Sequence, residues 1–169
     1  MSQEKPKGDG IMMRAMVIYD SNFGNTERIA RALAQGLERG GVNVDCLKID
    51  QVDTGDLRSY DFIAIGGPTH MIRPSKPMKE FLDGLDAVDL NGLKGFAFDT
   101  RNESRMNGRH WLVLENSAAR VIEGVLRRRK VKMVRPRHSA IVEGREGPLD
   151  DGTEEEFMGI GAEIASKLL

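Results

Sequence analysis

The 169-residue sequence has a single cysteine, Cys46. An intrachain disulfide and a thiolate metal cluster are therefore both excluded, and a reducing, cytoplasmic setting is expected. No apolar run approaches the length of a membrane span. Neither sign of charge dominates: the formal net charge is −1, so the bulk balance gives no argument for a nucleic-acid or acidic-substrate partner. Internal repeats and low-complexity stretches are absent. The three histidines, His70, His110 and His138, share no metal-binding spacing with carboxylates. What remains is ordinary for a globular domain, with 40% hydrophobic and 30% charged residues. Met1 to Gly10 is polar, lacks the apolar core of a signal peptide, and is expected to be a disordered leader before one domain over residues 11–169.

The apolar pattern alternates between two periods. Met13 to Tyr19 reads as a buried strand, and Ile29, Leu33 and Leu37 mark a helix stopped by Gly40-Gly41. Val42, Val44 and Cys46 give a second strand, and Asp53 to Ser59 a short helix. Phe62 to Ile65 reads as a third strand ending at Gly66-Gly67. Pro77 suits the first turn of a helix that buries Met78, Phe81, Leu82 and Leu85. Gly95 to Phe98 is a fourth strand. Ala118, Val121, Ile122, Val125 and Leu126 stripe a helix that ends in Arg127 to Lys130, cations suited to the negative end of its dipole. A fifth strand, Val131 to Val134 with Ser139 to Val142, is interrupted at Pro136. Thr153 with Glu156 reads as a capping box before a last helix carrying Phe157, Ile160, Ile164 and Leu168. This rhythm predicts an α/β domain: a doubly wound, five-stranded parallel sheet with helices on both faces. Ligands bind such sheets at the carboxyl ends of the strands, so the loops after strands one, three and four are the places to look.

The loop after strand one is Ser21-Asn22-Phe23-Gly24-Asn25-Thr26. It opens a helix, whose first N–H groups and positive dipole end suit an anion. Gly24 allows the backbone to curl around that anion, and Ser21, Asn25 and Thr26 offer side-chain hydrogen bonds. No Lys or Arg lies inside it. The loop lacks both the Gly-Lys-Ser/Thr ending of a Walker loop and a three-glycine dinucleotide fingerprint, which disfavours a nucleoside triphosphate or a dinucleotide.

These residues resemble the flavodoxin family. Ser21 to Thr26 is similar to its Ser/Thr-x-x-Gly-Asn-Thr phosphate loop, and Gly66-Gly67-Pro68-Thr69-His70 to its second flavin loop. Phe98-Asp99-Thr100-Arg101 is similar to the third. Ile141 to Gly144 with Gly147-Pro148-Leu149 is similar to the closing segment of short prokaryotic members. The resemblance implies a flavodoxin-like sheet of strand order 2-1-3-4-5 and FMN as cofactor. It also implies that Ser21, Asn22, Phe23, Gly24, Asn25 and Thr26 hold the phosphate. Pro68, Thr69, His70 and Met71 would cover one side of the ring, with Thr69 near the phosphate or ribityl hydroxyls, and Asp99, Thr100 and Arg101 the other. No catalytic side chain and no metal is implied.

Two departures from the family pattern stand out. The second loop carries no aromatic residue and no glycine in His70-Met71-Ile72-Arg73. Trp111 reads equally as a stacking or a packing residue. The expected rim is basic, with Arg73, Lys76, Arg101, Arg105, Arg109 and His110 against Asp99 and Glu103. The leading expectation is an FMN protein passing electrons between protein partners. The alternative is an FMN-dependent NAD(P)H oxidoreductase acting on quinones or other small acceptors as a homo-oligomer. A third reading keeps the fold as a scaffold without flavin.

Overall fold

A computed structural model of the chain describes residues 12–102 and 117–169. The expected leader, Trp111, Arg105, Arg109 and His110 lie outside the described residues. In chain order the elements are β1 (Arg14–Tyr19), α1 (Asn25–Arg39), β2 (Asn43–Lys48), β3 (Phe62–His70), β4 (Arg73–Pro74), α2 (Lys76–Gly84), β5 (Lys94–Asn102), α3 (Ala118–Arg128), β6 (Lys132–Met133), β7 (His138–Val142) and α4 (Thr153–Leu168). Between β2 and β3, Thr54–Ser59 forms a short 3₁₀ helix, with the Asp53 carboxylate accepting from the Gly55 N–H.

The sheet runs β2-β1-β3-β5-β6, with β7 also along β5. The interrupted fifth strand is thus two pieces on the same edge of β5: Lys132 pairs with Lys94, and His138 to Val142 pair with Phe98 to Asn102. Pro136, which has no N–H to give a ladder, lies in the gap. All these pairings are parallel. The two faces of β1 show the layering. Ala15, Val17 and Tyr19 join the cluster under α1 and α4, while Met16 and Ile18 join the cluster under α2 and α3.

Both central strands outrun their sequence signal. β3 continues through Gly66 and Gly67 to His70 because β5 pairs with it as far as Pro68↔Thr100, and β4 pairs antiparallel with Thr69 and His70. β5 continues to Asn102 because β7 supplies a partner there. Residues expected in the second and third loops are therefore held on a sheet. Gly66 is required by a close approach: a Cβ there would stand 2.1 Å from the Phe98 ring.

α1 and α4 touch backbone to backbone. A Cβ on Gly36 would lie 2.0 Å from the Met158 carbonyl oxygen, and one on Gly161 would lie 2.3 Å from that of Leu33. The expected capping box at α4 does not form. Gly152 holds the N-cap position at φ +80, the Thr153 hydroxyl donates to the Asp150 carbonyl, and Glu156 pairs with His138 instead. Among the described residues no helix is long and apolar enough to cross a membrane.

Candidate functional site

The strand order reverses between β1 and β3, since the chain leaves β1 toward β2 on one side and returns through β3 on the other. A cavity of about 300 Å³ opens at the carboxyl ends of these strands and β5. That is the crevice where doubly wound sheets hold ligands.

One end of the cavity is the turn entering α1. Gly24 occupies the N-cap position in the left-handed region (φ +88), and its N–H donates to Ser21 Oγ at 3.1 Å. The intrahelical ladder begins only with the Arg28 N–H, bonded to the Gly24 carbonyl. The amides of Asn25, Thr26 and Glu27 precede it and have no intrahelical acceptor, which is the arrangement that attracts an anion. The acidic residue of this first turn is turned away. Glu27 Oε1 accepts from the Tyr19 hydroxyl at 3.0 Å and from Arg31 at 2.7 Å. The Arg31 hydrogen bond and then the Tyr19 hydroxyl hold the Glu27 carboxyl below its ordinary range, while burial and Glu27 push Tyr19 up.

Three side-chain ties fix the loop. The Thr26 and Thr100 hydroxyls, both buried, lie 2.9 Å apart and join α1 to the end of β5. Asn25 Nδ2 donates to the Glu146 carbonyl at 3.0 Å, and Asn22 Nδ2 meets His70 Nε2 at 3.1 Å. Much of the expected side-chain donor set is thus committed to positioning the loop, and the main-chain amides are left to face a ligand. Asp20, at the end of β1, is 4% exposed and accepts from the Ser75 hydroxyl, which also caps α2 by accepting from the Met78 N–H.

The other walls come from β3 and β5. Eleven of the thirteen residues expected in the site line the cavity: Ser21, Asn22, Phe23, Asn25, Thr26, Pro68, Thr69, His70, Met71, Thr100 and Arg101. Gly24 shapes the turn from behind. Asp99 is fully buried under the wall. Its Oδ2 accepts from Thr69 Oγ1 at 2.7 Å and from the Ala119 N–H at 3.2 Å, at the start of α3. Thr69 Oγ1 in turn accepts from the Ala118 N–H at 2.9 Å. Asp99 and Thr69 therefore staple α3 to the sheet, and a carboxylate at a helix N-terminus is favoured by the dipole. Four lining residues were not in the expected set: Asn102, Val142, Gly144 and Arg145. Val142 and Gly144 belong to the segment from Ile141 to Gly144, whose local pattern resembles a closing segment. Asn102 and Arg145 carry no local signal, because the long-range pairing of β5 with β7 brings them there.

The lining contains no Asp or Glu among the described residues, and it contains Arg101 and Arg145. At the mouth, large apolar side chains stand in solvent: Met71 is 81% exposed, Ile72 46% and Phe23 45%. An anion-seeking end, walls without Asp or Glu among the described residues and an apolar mouth suit an anionic ligand with an apolar body. Cys46 lies away from this cavity, and burial pushes its thiol up to about 11.

Comparison with known proteins agrees with this geometry. Residues 17–159 match the family model described as Flavodoxin. A flavodoxin of Clostridium saccharobutylicum is 34% identical over 91 residues, which cover 53% of this chain and 57% of that protein. An NAD(P)H dehydrogenase (quinone) of Paraburkholderia phymatum is 32% identical over 111 residues, covering 52% of this chain and 56% of that one. The match therefore spans little more than half the length of either relative. The structure of a flavodoxin from the domain Archaea superposes with a TM-score of 0.76 at 26% identity, over 92% of this chain and 99% of that one. By its fold, its switch-point cavity and a family match over most of its length, this chain belongs to the flavodoxin family.

Proposed function

We propose that this chain binds FMN, the cofactor expected of a flavodoxin, and passes electrons between protein partners. The observation that carries the reading is the switch-point cavity, whose described lining holds no Asp or Glu and which is closed at one end by the α1 N-terminus. The phosphate is taken by the amides of Asn25 and Thr26 with the Ser21 hydroxyl. The Thr26–Thr100, Asn25–Glu146 and Asn22–His70 ties hold those groups in place before the ligand arrives, so little ordering cost falls on binding. Pro68, Thr69, His70 and Met71 flank one side of the ring, and Thr100 and Arg101 the other. When bound, the flavin supplies the redox chemistry, and the protein supplies position and electrostatics. Positive charge on Arg101 and Arg145 favours an anionic reduced ring over a neutral one.

A visible spectrum of the purified chain, with FMN titrated into the colourless apoprotein, tests the reading. Tight uptake with a perturbed flavin spectrum supports it, and failure to take up FMN overturns it. The cationic lining also suits the phosphates of a nicotinamide nucleotide, and one matched relative is an NAD(P)H dehydrogenase (quinone). Anaerobic NAD(P)H decides between the two readings: rapid bleaching of the flavin without a partner reductase selects the oxidoreductase.

A further inference from the structure

We infer that the open edge of the sheet, with the carboxyl end of α3 beside it, is a docking surface for single-stranded nucleic acid, held by its phosphates. The formal net charge of −1 conceals an uneven distribution. From Arg120 to Arg137 the chain carries eight Lys and Arg residues against one carboxylate, Glu123, and no Asp or Glu follows until Glu143. The fold gathers this run at one place. α3 delivers Arg127 and Arg128 at its end, and Lys130, Lys132, Arg135 and Arg137 follow along β6, the outermost strand on the path of the sheet. Four carboxylates pair with this edge. Asp86 meets Arg129, Glu123 is shared by Arg127 and Arg137, Glu156 meets His138, and Glu163 is shared by Arg135 and Lys167. Asp89, which lines a groove with Arg128 and Lys130, is paired with Arg58. Arg128, Lys130 and Lys132 are exposed and have no ion-pair partner among the described residues. The edge therefore stays positive after every paired carboxylate is counted.

The arrangement of these cations selects the occupant. They stand on both sides of the edge. Glu123 draws Arg127 and Arg137 to the α3 side. Arg135 reaches Glu163 of α4 and lies over the Phe96 ring, 5.6 Å from its centroid, on the other side. A flat lipid surface meets one side of such an edge, and a duplex is too stiff to turn round it, but a single strand follows it. The large apolar side chain exposed on α3 is Val121, at 40%, so the aromatic or apolar centre of a protein interface is missing among the described residues. Four of the six cations along the edge are arginines, whose planar fork suits phosphate oxygens. Gly124 keeps the helix surface low between Arg120 and Arg128, since only Arg128 Nη1 comes within 4 Å of where its Cβ would stand. With no exposed aromatic among the described residues of this face, the bases are left unread and the phosphates carry the binding. Lys132 pairs with Lys94 at the start of β5, whereas the cavity begins at Thr100, about 20 Å further along that strand. A strand bound here leaves the cavity open.

The test titrates the full chain, as purified, into a rhodamine-labelled uridine strand of about twelve nucleotides and reads fluorescence anisotropy. About four phosphate contacts give a slope of about −3 in log affinity against log salt, a loss of about fiftyfold between roughly 50 and 200 mM. An adenosine strand of the same length should bind within about threefold, because the backbone and not the bases is held. Arg128→Gln combined with Lys132→Gln removes no ion pair among the described residues and should cut the slope by about half. Lys48→Gln, on β2 at the opposite edge of the sheet, should leave it unchanged. Absence of binding at roughly 50 mM salt with about 100 μM protein overturns the proposal, as does a slope near zero or one that the double variant leaves intact. Capture by phosphatidylglycerol vesicles without binding of either strand assigns the surface to a membrane and overturns it equally.

Discussion

Asn22 Nδ2 and His70 Nε2 meet 3.1 Å apart at the cavity, tying the loop before α1 to the end of β3. Both residues line the cavity, so the bond bridges two of its walls. A hydrogen bond of this kind is worth about 0.5–1.5 kcal/mol net. His70→Ala and Asn22→Ala should therefore speed FMN release by roughly two- to tenfold. Stopped-flow recovery of free-flavin fluorescence measures this, and the apoprotein should lose no more than about the same 0.5–1.5 kcal/mol of unfolding free energy.

The Thr26–Thr100 pair should behave as a coupled unit. Both hydroxyls are buried, and each has the other as its close partner at 2.9 Å. Thr26→Val leaves the Thr100 hydroxyl buried without its partner, which costs about 1–3 kcal/mol. The double valine variant should lose less than the sum of the two singles. Urea unfolding of all four proteins gives the coupling energy directly.

Relieving the hairpin should stabilise the fold. Replacing Met71-Ile72 by Asn-Gly supplies residues suited to positive φ at both positions. A gain of about 1–2 kcal/mol in urea stability is expected. A loss would mean that side-chain contacts of Met71 and Ile72 outweigh their backbone strain.

Acid should act through Glu27. Its carboxyl is held below the ordinary value of 4.5 by Arg31 and Tyr19, so its contribution is fully present above that value. It disappears as the pH falls through the lower, folded-state value. Arg31→Met should remove that part of the stability profile below about pH 4.5 and leave the profile near neutrality almost parallel to wild type. Chemical unfolding across pH 3 to 7 is the measurement.

Cys46 should be a slow thiol. With its value raised to about 11 by burial, only about one molecule in a thousand carries the thiolate at pH 8. Its reaction with Ellman's reagent should lag a free cysteine by about two orders of magnitude and recover in urea.

Much of this was legible in the sequence because the signals were local. The Ile29, Leu33, Leu37 stripe, the break at Pro136 and the Ser21 to Thr26 loop each carry their meaning within a few residues. What escaped was set by distant partners. β3 and β5 run on past their apolar runs because neighbouring strands complete their ladders. Asp99 faces α3 rather than the cavity because the Ala119 amide and the Thr69 hydroxyl claim it. The β3–β4 hairpin gave no turn signal, since Met and Ile stand where Asn and Gly would announce one. The Thr153–Glu156 pattern pointed to a cap, but Gly152 takes the N-cap position, Thr153 bonds back to Asp150, and Glu156 pairs with His138 across the fold.

The glycine contact between α1 and α4 has a mechanical consequence. Where two helices meet main chain to main chain, no side chain can change rotamer to absorb a displacement. α1 then behaves as a rigid rod seated in a fixed bearing, and its tip is the turn at Gly24. A methyl group added at Gly161 would displace the rod and move the amides of Asn25, Thr26 and Glu27 together, at a distance from the cavity. A displacement of α1 is thus passed to the turn at Gly24 from residues that do not line the cavity.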